Sequence, residues 1–290
     1  MSRTTDTADL ELALAAAHQA GRAIMAAFRS DPDVRHKAPD QPVTDADLEA
    51  DALLADRLLD ARPGYGWLSE ETEDDPERLE RDRVWIVDPI DGTRSFIAGY
   101  REFAVSVGLA ERGRPILGVL YNPALGEVVW AVEGGGTFRA RDWDGGTGGG
   151  ERVRAVAPRA GERPILLASR SEIRRGEFDP FLPEWDIQPT GSTAWKMAGT
   201  ATGPAHGYIS RGPKSEWDVA AGAVIVAEAG GTVSDLRGDG LRFNRPDPYV
   251  HGVLAATPVL HRRLLERAQA LPAPRLRARG PWGTDAARED

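Results

Sequence analysis

The segment Trp85-Ile86-Val87-Asp88-Pro89-Ile90-Asp91-Gly92-Thr93 decides the fold of this chain and indicates its chemistry. Its apolar first half predicts a buried strand, and two aspartates follow at the end of that strand. Carboxylates this close repel each other unless a cation lies between them, and Mg²⁺ prefers carboxylate oxygens. Gly92 allows close approach of the backbone, and the N–H groups of the next turn suit an anion. The segment therefore predicts a metal-plus-phosphate site; the alternative is an acidic surface turn.

The composition is that of an ordinary globular protein. The chain has 290 residues, of which 41% are hydrophobic and 28% are charged. No apolar run of about 18 residues is present, so we expect no membrane span. Acidic residues near the start (Asp6, Asp9 and Glu11) argue against a secretory signal, so the expected location is the cytoplasm. The absence of cysteine excludes disulfides, thiolate metal sites and cysteine nucleophiles.

The net charge of −9 bears on the class of binding partner. An acidic protein does not favour a nucleic-acid polymer as a partner. A small phosphate ester is still possible, because bound cations can reverse the sign of the local field. We therefore expect a small-molecule partner rather than a polymer or a membrane.

Hydrophobic periodicity predicts alternating helices and strands. Helices are predicted at residues 6–30, 192–202, 216–229 and 258–270, and another is capped by Thr44 and ended by residues 62–64. Strands are predicted at residues 65–68, 84–87, 103–110, 116–121, 127–132, 165–168 and 250–256. Residues 36–42 are predicted to be a loop, and the antiparallel meander is predicted to continue to Phe138. This alternation indicates an α/β (α+β) fold of stacked layers.

The glycine-rich stretch at 142–150 is the best candidate for a lobe boundary. We predict an N-terminal α+β lobe at residues 1–145, which holds the meander and most of the acidic site residues. A C-terminal α/β lobe at residues 146–271 then holds Asp218 and the substrate-binding segments. The tail at residues 272–290 is rich in Pro, Arg and Asp and is predicted to be disordered.

Four segments place acids at the ends of apolar elements. The acids are Asp45, Asp47, Glu70, Glu71, Asp88, Asp91 and Asp218. For Asp47 the alternative is a simple first-turn acid that the helix dipole favours. If these ends converge, two or three divalent cations would balance their charge. Such an array suits phosphoryl transfer to water, because a metal lowers the pKa of bound water and steadies the leaving oxygen.

The ordered set of segments resembles the inositol monophosphatase superfamily. The family patterns are Glu-Glu after a strand, Asp-Pro-Ile-Asp-Gly-Thr, and Trp-Asp followed by small residues and a later Gly-Gly. They correspond here to Glu70-Glu71, residues 88–93, residues 217–222 and Gly230-Gly231. Residues 43–47 and 134–138 also fit, and the resemblance covers roughly residues 8–270. It implies the αβαβα sandwich of the inositol monophosphatase and fructose-1,6-bisphosphatase type, Mg²⁺-dependent and lithium-sensitive phosphatase activity, and a homodimer.

The resemblance also implies a role for each acidic residue. Glu70, Asp88 and the carbonyl of Ile90 would hold one Mg²⁺ ion; Asp88, Asp91 and Asp218 would hold a second; Glu70 would reach a third through water. Glu71 and the Thr93 hydroxyl, with Asp47 behind Thr93, would orient the attacking water. The N–H groups of Gly92 and Thr93 would receive the phosphate.

Substrate choice depends on residues outside the metal cluster. Family members that act on inositol phosphates commonly carry an acid seven residues before the Trp-Asp aspartate. Here Arg211 stands at that position, so this acid is missing unless Glu216 substitutes for it.

Two other segments resemble the 3′(2′),5′-bisphosphate nucleotidase branch. They are Ser169-Arg170-Ser171 and the run from Gly191-Ser192 to Lys196, although Glu172 stands where that branch often has His. The positive charges of Arg170, Lys196 and Arg211 could bind a second phosphate that is not cleaved. The alternative is that all three are surface cations.

The first prediction is therefore a 3′(2′),5′-bisphosphate nucleotidase that acts on 3′-phosphoadenosine 5′-phosphate. An inositol monophosphatase or a broader sugar-phosphate phosphatase is the second. Haloacid-dehalogenase-type phosphatases form an aspartyl-phosphate and need an acid two residues after the nucleophile, where this chain has Ile90. A non-catalytic metal- or nucleotide-binding protein of the same fold is the remaining alternative.

Overall fold

The computed structural model describes residues 3–28, 34–38, 41–146 and 149–272. In this part of the chain the helices are α1 (Arg3–Phe28), α2 (Asp45–Ala61), α3 (Thr93–Ile97), α4 (Arg170–Arg174), α5 (Thr193–Thr202), α6 (Glu216–Glu228) and α7 (Pro258–Gln269). Short 3₁₀ helices lie at Pro76–Glu80 and Asp179–Phe181. The capping box of Thr44 and Asp47 begins α2, as the sequence predicts.

The strands form two main sheets. The first is β3 (Gly66–Ser69), β4 (Arg83–Asp91), β5 (Ala104–Glu111), β6 (Arg114–Asn122), β7 (Glu127–Val132), β8 (Gly136–Ala140) and β9 (Glu151–Val153), in that order. The second contains β10 (Ile165–Ala168), β11 (Asp186–Pro189), β12 (Gly207–Ser210), β14 (Thr232–Ser234) and β16 (Val253–Ala256), in the order β11-β10-β12-β16-β14. Two-stranded ribbons pair β1 (Val34–Ala38) with β2 (Gln41–Thr44), and β13 (Lys214–Ser215) with β15 (Tyr249–Val250).

The layers follow from which face each strand buries. On β4, Trp85 and Val87 pack in one cluster with α1 and α2, whereas Val84 and Ile86 pack in a second cluster with α5 and α6. This alternation is expected, because successive side chains of a strand point to opposite faces. The second sheet contacts α5 and α6 on one face and α7 on the other. The order is helix, sheet, helix, sheet, helix, and the predicted αβαβα sandwich is confirmed.

Helix α6 lies directly against the first sheet at two glycines. A Cβ at Gly118 would lie 2.3 Å from the backbone oxygen of Ala221, and one at Gly108 would lie 2.9 Å from the Cβ of Ala220. Both distances are much shorter than an ordinary van der Waals contact. The small residues of α6 and of the sheet therefore set the depth at which the helix packs, and hence the position of Asp218 near its start.

Gly118→Ala is expected to lower the free energy of unfolding by about 1–3 kcal/mol, because overpacking forces backbone shifts. Urea unfolding followed by fluorescence measures this. The matched control is Gly64→Ala, since nothing lies within 4 Å of the added methyl at Gly64. Equal stability of the two variants would contradict the proposed close packing.

Three local predictions are wrong. Residues 36–42 fall mostly in the β1–β2 ribbon, where the predicted loop is instead a tight antiparallel pair. β4 does not end at Val87 but continues to Asp91, with an irregularity in its pairing between Asp88 and Asp91. The predicted strand at 250–256 is divided at Gly252, whose φ of +85° interrupts the extended chain.

The predicted lobe boundary lies close to a strand of the first sheet. β9 follows the glycine-rich stretch and pairs with β8, so the first sheet extends beyond residue 145. Residues 147 and 148 and the predicted tail beyond Pro272 lie outside the described residues. The two-lobe division stays a prediction.

Candidate metal centre

Strand pairing brings the first two acids together. β3 runs parallel to β4, with Ser69 opposite Val87. Glu70 and Asp88, which directly follow these two residues, therefore lie side by side. The amide of Glu70 donates to the carbonyl of Val87 at 3.3 Å, which continues this register by one residue. The two carboxylates are therefore neighbours, although 17 other residues separate them in sequence.

Helix α6 supplies the third acid from a distant part of the chain. Asp88 is paired with Ser106 on β5, and the Ser106 hydroxyl donates to the carbonyl of Trp217 at 3.1 Å. This contact holds the first turn of α6 near the end of β4 that carries Asp88. As a result, carboxylate oxygens of Glu70, Asp88 and Asp218 all lie within 4.8 Å of one another.

The electrostatics of this acidic cluster suit a cation. Burial raises the pKa of Asp88 well above its usual value, and the charges of Glu70, Asp91, Asp218 and Glu71 raise it further. Burial and Asp91 likewise raise the pKa of Asp218, to about 7. The Oδ2 atom of Asp88 is buried and has no hydrogen-bond partner among the described residues. Because a buried charge without a partner is costly, these oxygens fit a divalent ion.

Asp91 lies outside this three-residue cluster. Its Oδ2 atom accepts hydrogen bonds from the Ser192 hydroxyl and the Ala194 amide, both at 2.5 Å. Asp91 therefore links the end of β4 to the start of α5, while its charge still acts on Asp88 and Asp218. Its role as a metal ligand remains a prediction.

Two of the predicted partners of the attacking water, Thr93 and Asp47, are connected to each other. The Thr93 hydroxyl lies 3.1 Å from both Asp47 Oδ1 and the carbonyl of Ile90. The other oxygen of Asp47 accepts from the amide and hydroxyl of Thr44, at 2.8 and 2.6 Å. Burial raises the pKa of Asp47, and the hydrogen bonds from Thr44 and Thr93 oppose that shift. Asp47 thus lies behind Thr93, as the sequence predicts.

Two glycines allow the surrounding segments to approach closely. Gly92 has φ +102°, and a Cβ there would lie 3.0 Å from the carbonyl of Glu102. A Cβ at Gly191 would lie only 2.1 Å from the Ser95 hydroxyl. The next residue, Ser192, has φ +57° and caps α5 through Trp195. The predicted phosphate-binding turn therefore packs against the start of α5.

Two of the predicted phosphate-binding cations have other partners. Arg170 pairs with Glu102 at 2.9 Å, and its guanidinium lies 4.3 Å from the centre of the Tyr100 ring. Arg211 donates to the carbonyl of Pro272. The side chain of Ser169 caps α4 and contacts Glu172. These contacts give Ser169, Arg170 and Arg211 structural roles, and their part in substrate binding stays a prediction.

Lys196 is not a surface cation. Its side chain is only 3% exposed, and its Nζ donates to the carbonyl of Thr190 at 3.3 Å. Burial and the neighbouring Lys214 lower its pKa to about 8, while Glu172, Asp91 and Asp218 act in the opposite direction. A buried lysine near the acidic cluster is a candidate for anion recognition.

Glu216 cannot replace the missing hydroxyl-binding acid. It is fully buried, and its two oxygens accept the backbone N–H groups of Asn244 and Arg245 at 2.6 and 3.1 Å. Asn244 in turn binds Arg78. Glu216 therefore holds the segment around residue 244 against the loop that follows Glu71, and both of its oxygens are engaged by backbone amides.

The sequence reasoning missed Lys214. This residue precedes the N-cap of α6, and the groups that act on its charge include Tyr208, Glu172, Asp218 and Asp91. The available signal was a lysine four residues before Asp218, in the segment Gly212-Pro213-Lys214-Ser215.

No helix in the described ranges is long and apolar enough to span a bilayer.

Comparisons with known proteins identify the family of this chain. The model of the inositol monophosphatase family matches residues 6–273. The inositol-1-monophosphatase of Mesorhizobium japonicum is 33% identical over 268 residues, which is 89% of this chain and 94% of that protein. The 3′(2′),5′-bisphosphate nucleotidase CysQ of Escherichia coli K12 is 34% identical over 240 residues, covering 81% of this chain and 94% of that protein.

Solved structures give the same result. The extragenic suppressor protein suhB of Bartonella henselae superposes with a TM-score of 0.76 at 28% identity, covering 91% of this chain and 99% of that one. CysQ of Bacteroides thetaiotaomicron gives a TM-score of 0.72 at 29% identity, covering 86% and 97%. The chain therefore belongs to the inositol monophosphatase family of metal-dependent phosphoric monoester hydrolases.

Proposed function

We propose that this protein uses Mg²⁺ to remove the 3′-phosphate of 3′-phosphoadenosine 5′-phosphate. The observation that carries the proposal is the position of Lys196, a buried cation within the field of Asp91 and Asp218. A substrate with two phosphates can place one at the metal centre and the other at Lys196. Relatives named for each of the two activities are equally similar, so the choice between substrates depends on such residues.

Glu70, Asp88 and Asp218 would hold the ions, together with Asp91 and the carbonyl of Ile90. When bound, Mg²⁺ lowers the pKa of a coordinated water and stabilises the charge on the leaving oxygen. The backbone N–H groups of Gly92 and Thr93 would bind the phosphate that is cleaved.

The hydroxyl of Thr93 would orient the attacking water. Its single proton points towards Asp47 or the carbonyl of Ile90, because both acceptors lie 3.1 Å away. Its lone pairs are then available to accept a hydrogen bond from water. Thr93 therefore positions the water, and the carboxylate of Glu71, whose charge also acts on Asp88, would accept the proton that this water loses as its oxygen attacks the phosphorus.

Two residues that precede Asp218 in sequence, Arg211 and Glu216, favour the nucleotide over an inositol phosphate. Arg211 replaces the acid that would accept ring hydroxyls, and Glu216 is occupied by backbone amides. We expect kcat/KM for 3′-phosphoadenosine 5′-phosphate to exceed that for inositol 1-phosphate by at least about tenfold in a side-by-side assay with Mg²⁺. Hydrolysis of inositol 1-phosphate with none of the bisphosphate would refute the proposed substrate.

Lys196→Met is expected to weaken transition-state binding of the bisphosphate by about 1–3 kcal/mol, because a charged contact is lost. Methionine keeps the apolar stem of the side chain in place. Steady-state kinetics with both substrates measure the effect, and Arg159→Met, at an exposed arginine, is the matched control. Equal losses for the bisphosphate and for inositol 1-phosphate would remove Lys196 from substrate selection.

A homodimer, a cytoplasmic location and inhibition by lithium also remain proposals. They follow from the family resemblance and from the expectations drawn from the sequence. Sedimentation analysis of the purified protein and lithium titration of its activity would test the first and the third.

A further inference from the structure

Two lysines from different elements lie near the acidic cluster, and the charges of Asp91 and Asp218 act on both of them. Lys196 comes from α5 and is buried, with its Nζ 5.4 Å from the centre of the Tyr208 ring. Lys214 comes from β13, where it pairs with Val250, and it is partly buried. It immediately precedes Ser215, the N-cap of the helix that carries Asp218. The fold therefore brings a second cation to the start of the helix that supplies the third acid of the cluster.

The charges of the same three carboxylates act on both ammonium groups. Glu172, Asp91 and Asp218 favour the charged form of each lysine, and Tyr208 also acts on Lys214. The positive charge of Lys214 is itself one of the causes that lower the pKa of Lys196. The contacts place both lysines near β12. Lys196 lies against the Tyr208 ring of this strand, and the carboxylate of Glu172, which acts on both lysines, accepts from Ser210 four residues before Lys214.

The hydrogen-bonding capacity of the pair is largely unused. An ammonium group offers three donors, and the hydrogen bond of Lys196 is to the carbonyl of Thr190 at 3.3 Å. Across the described ranges, the side chain of Lys214 has no hydrogen bond, and neither lysine forms a direct ion pair. The nearby carboxylate of Glu172 accepts instead from the hydroxyls of Ser169 and Ser210.

Charge balance indicates what the pair would bind. Cations in the acidic cluster would engage the charges of Asp91 and Asp218. Glu172 would then be the carboxylate that remains to balance two lysines. Because buried charges require partners, the excess positive charge favours an anion between Lys196 and Lys214.

We propose that Lys214 binds the phosphate that is not cleaved, together with Lys196, and that Lys214 determines the preference for bisphosphate over monophosphate substrates. This inference rests on the proposed function, because it concerns the second anionic group of the same substrate. A different possibility is that Lys214 only screens the acidic cluster. In that case its loss would change Mg²⁺ binding and affect all substrates alike.

The test compares Lys214→Met with Lys214→Arg. We expect Lys214→Met to raise KM for 3′-phosphoadenosine 5′-phosphate at least tenfold with little change in kcat, and to change KM for inositol 1-phosphate by less than twofold. Arginine should restore most of the loss, since it also binds phosphate. Equal changes for both substrates, or a shift in the Mg²⁺ requirement alone, would overturn the proposal.

A binding measurement separates this inference from the proposed function. Adenosine 5′-phosphate carries the group that Lys214 would bind and lacks the 3′-phosphate that would be cleaved. Calorimetry should show binding to the Mg²⁺-loaded wild type that is at least tenfold weaker in Lys214→Met. If the wild type binds this probe but does not hydrolyse the bisphosphate, only the proposed reaction is wrong. If the wild type does not bind it, or both proteins bind it equally, the inference is wrong.

Discussion

Asp88→Asn is expected to reduce phosphate release more than about 100-fold and to weaken Mg²⁺ binding. Asp88 lies at the centre of the acidic cluster, and its Oδ2 is buried without a hydrogen-bond partner in the part of the chain that the structure describes. Asparagine keeps the shape of the side chain but removes the charge that a divalent ion needs. Loss of a residue that only supports a ligand typically costs 10–100-fold, so direct loss should cost more. Steady-state kinetics and calorimetric titration with Mg²⁺ measure both effects.

Asp82→Asn is the matched control, because Asp82 immediately precedes the opposite end of β4. It is exposed and pairs with Arg112 on the surface. The same chemical change there should leave both Mg²⁺ affinity and turnover within about twofold, because exposed ion pairs contribute little. Activity of Asp88→Asn close to that of the wild type would contradict the proposed metal centre.

Stabilisation by Mg²⁺ is expected to increase with pH between about pH 4 and 7. Burial and mutual repulsion raise the folded-state pKa of Asp88 and Asp218 above the usual 3.8, that of Asp218 to about 7. In this window these two carboxyl groups hold more protons in the metal-free folded protein than in the unfolded chain. Their contribution to the free energy of unfolding therefore falls as pH rises. Mg²⁺ binds the ionised carboxylates, so it offsets this loss most strongly at the upper end of the window.

The measurement is the difference in Tm between samples with Mg²⁺ and with EDTA, as a function of pH. At 100 times the Kd, Mg²⁺ contributes about 2.7 kcal/mol, which corresponds to about 4 °C for a chain of 290 residues. Burial also raises the pKa of Glu216 to about 7, but its effect is common to both samples and cancels in the difference. Asp218→Asn should flatten the curve. A difference that is constant with pH would contradict the coupling between metal and cluster.

The candidate site was predictable because its signals are local. An apolar run that leads into Asp88 places this acid near the end of a buried strand, and the same holds for β3 and Glu70. Asp218 is more informative still, since it opens a helix whose other residues are almost all buried. Acids at the ends of several buried helices and strands indicate that these side chains meet at one site, even when the topology is unknown.

The remaining features depend on tertiary contacts that the sequence does not display. β12 is central in the second sheet but has only four residues, too few for a clear periodic pattern. The pairing of Arg170 with Glu102 joins residues 68 positions apart, so Arg170 looked available for phosphate. Lys214 belongs to none of the motifs in the sequence analysis. Its significance arises only because β13 and α5 bring it beside Lys196.

The most direct measurement is anomalous scattering from a crystal soaked in Mn²⁺, which replaces Mg²⁺ at oxygen-ligand sites. We predict a strong peak among the carboxylates of Glu70, Asp88 and Asp218, and its loss in Asp88→Asn. An ordered crystal at saturating Mn²⁺ with no peak among these three residues would contradict the central claim that this cluster is a metal centre.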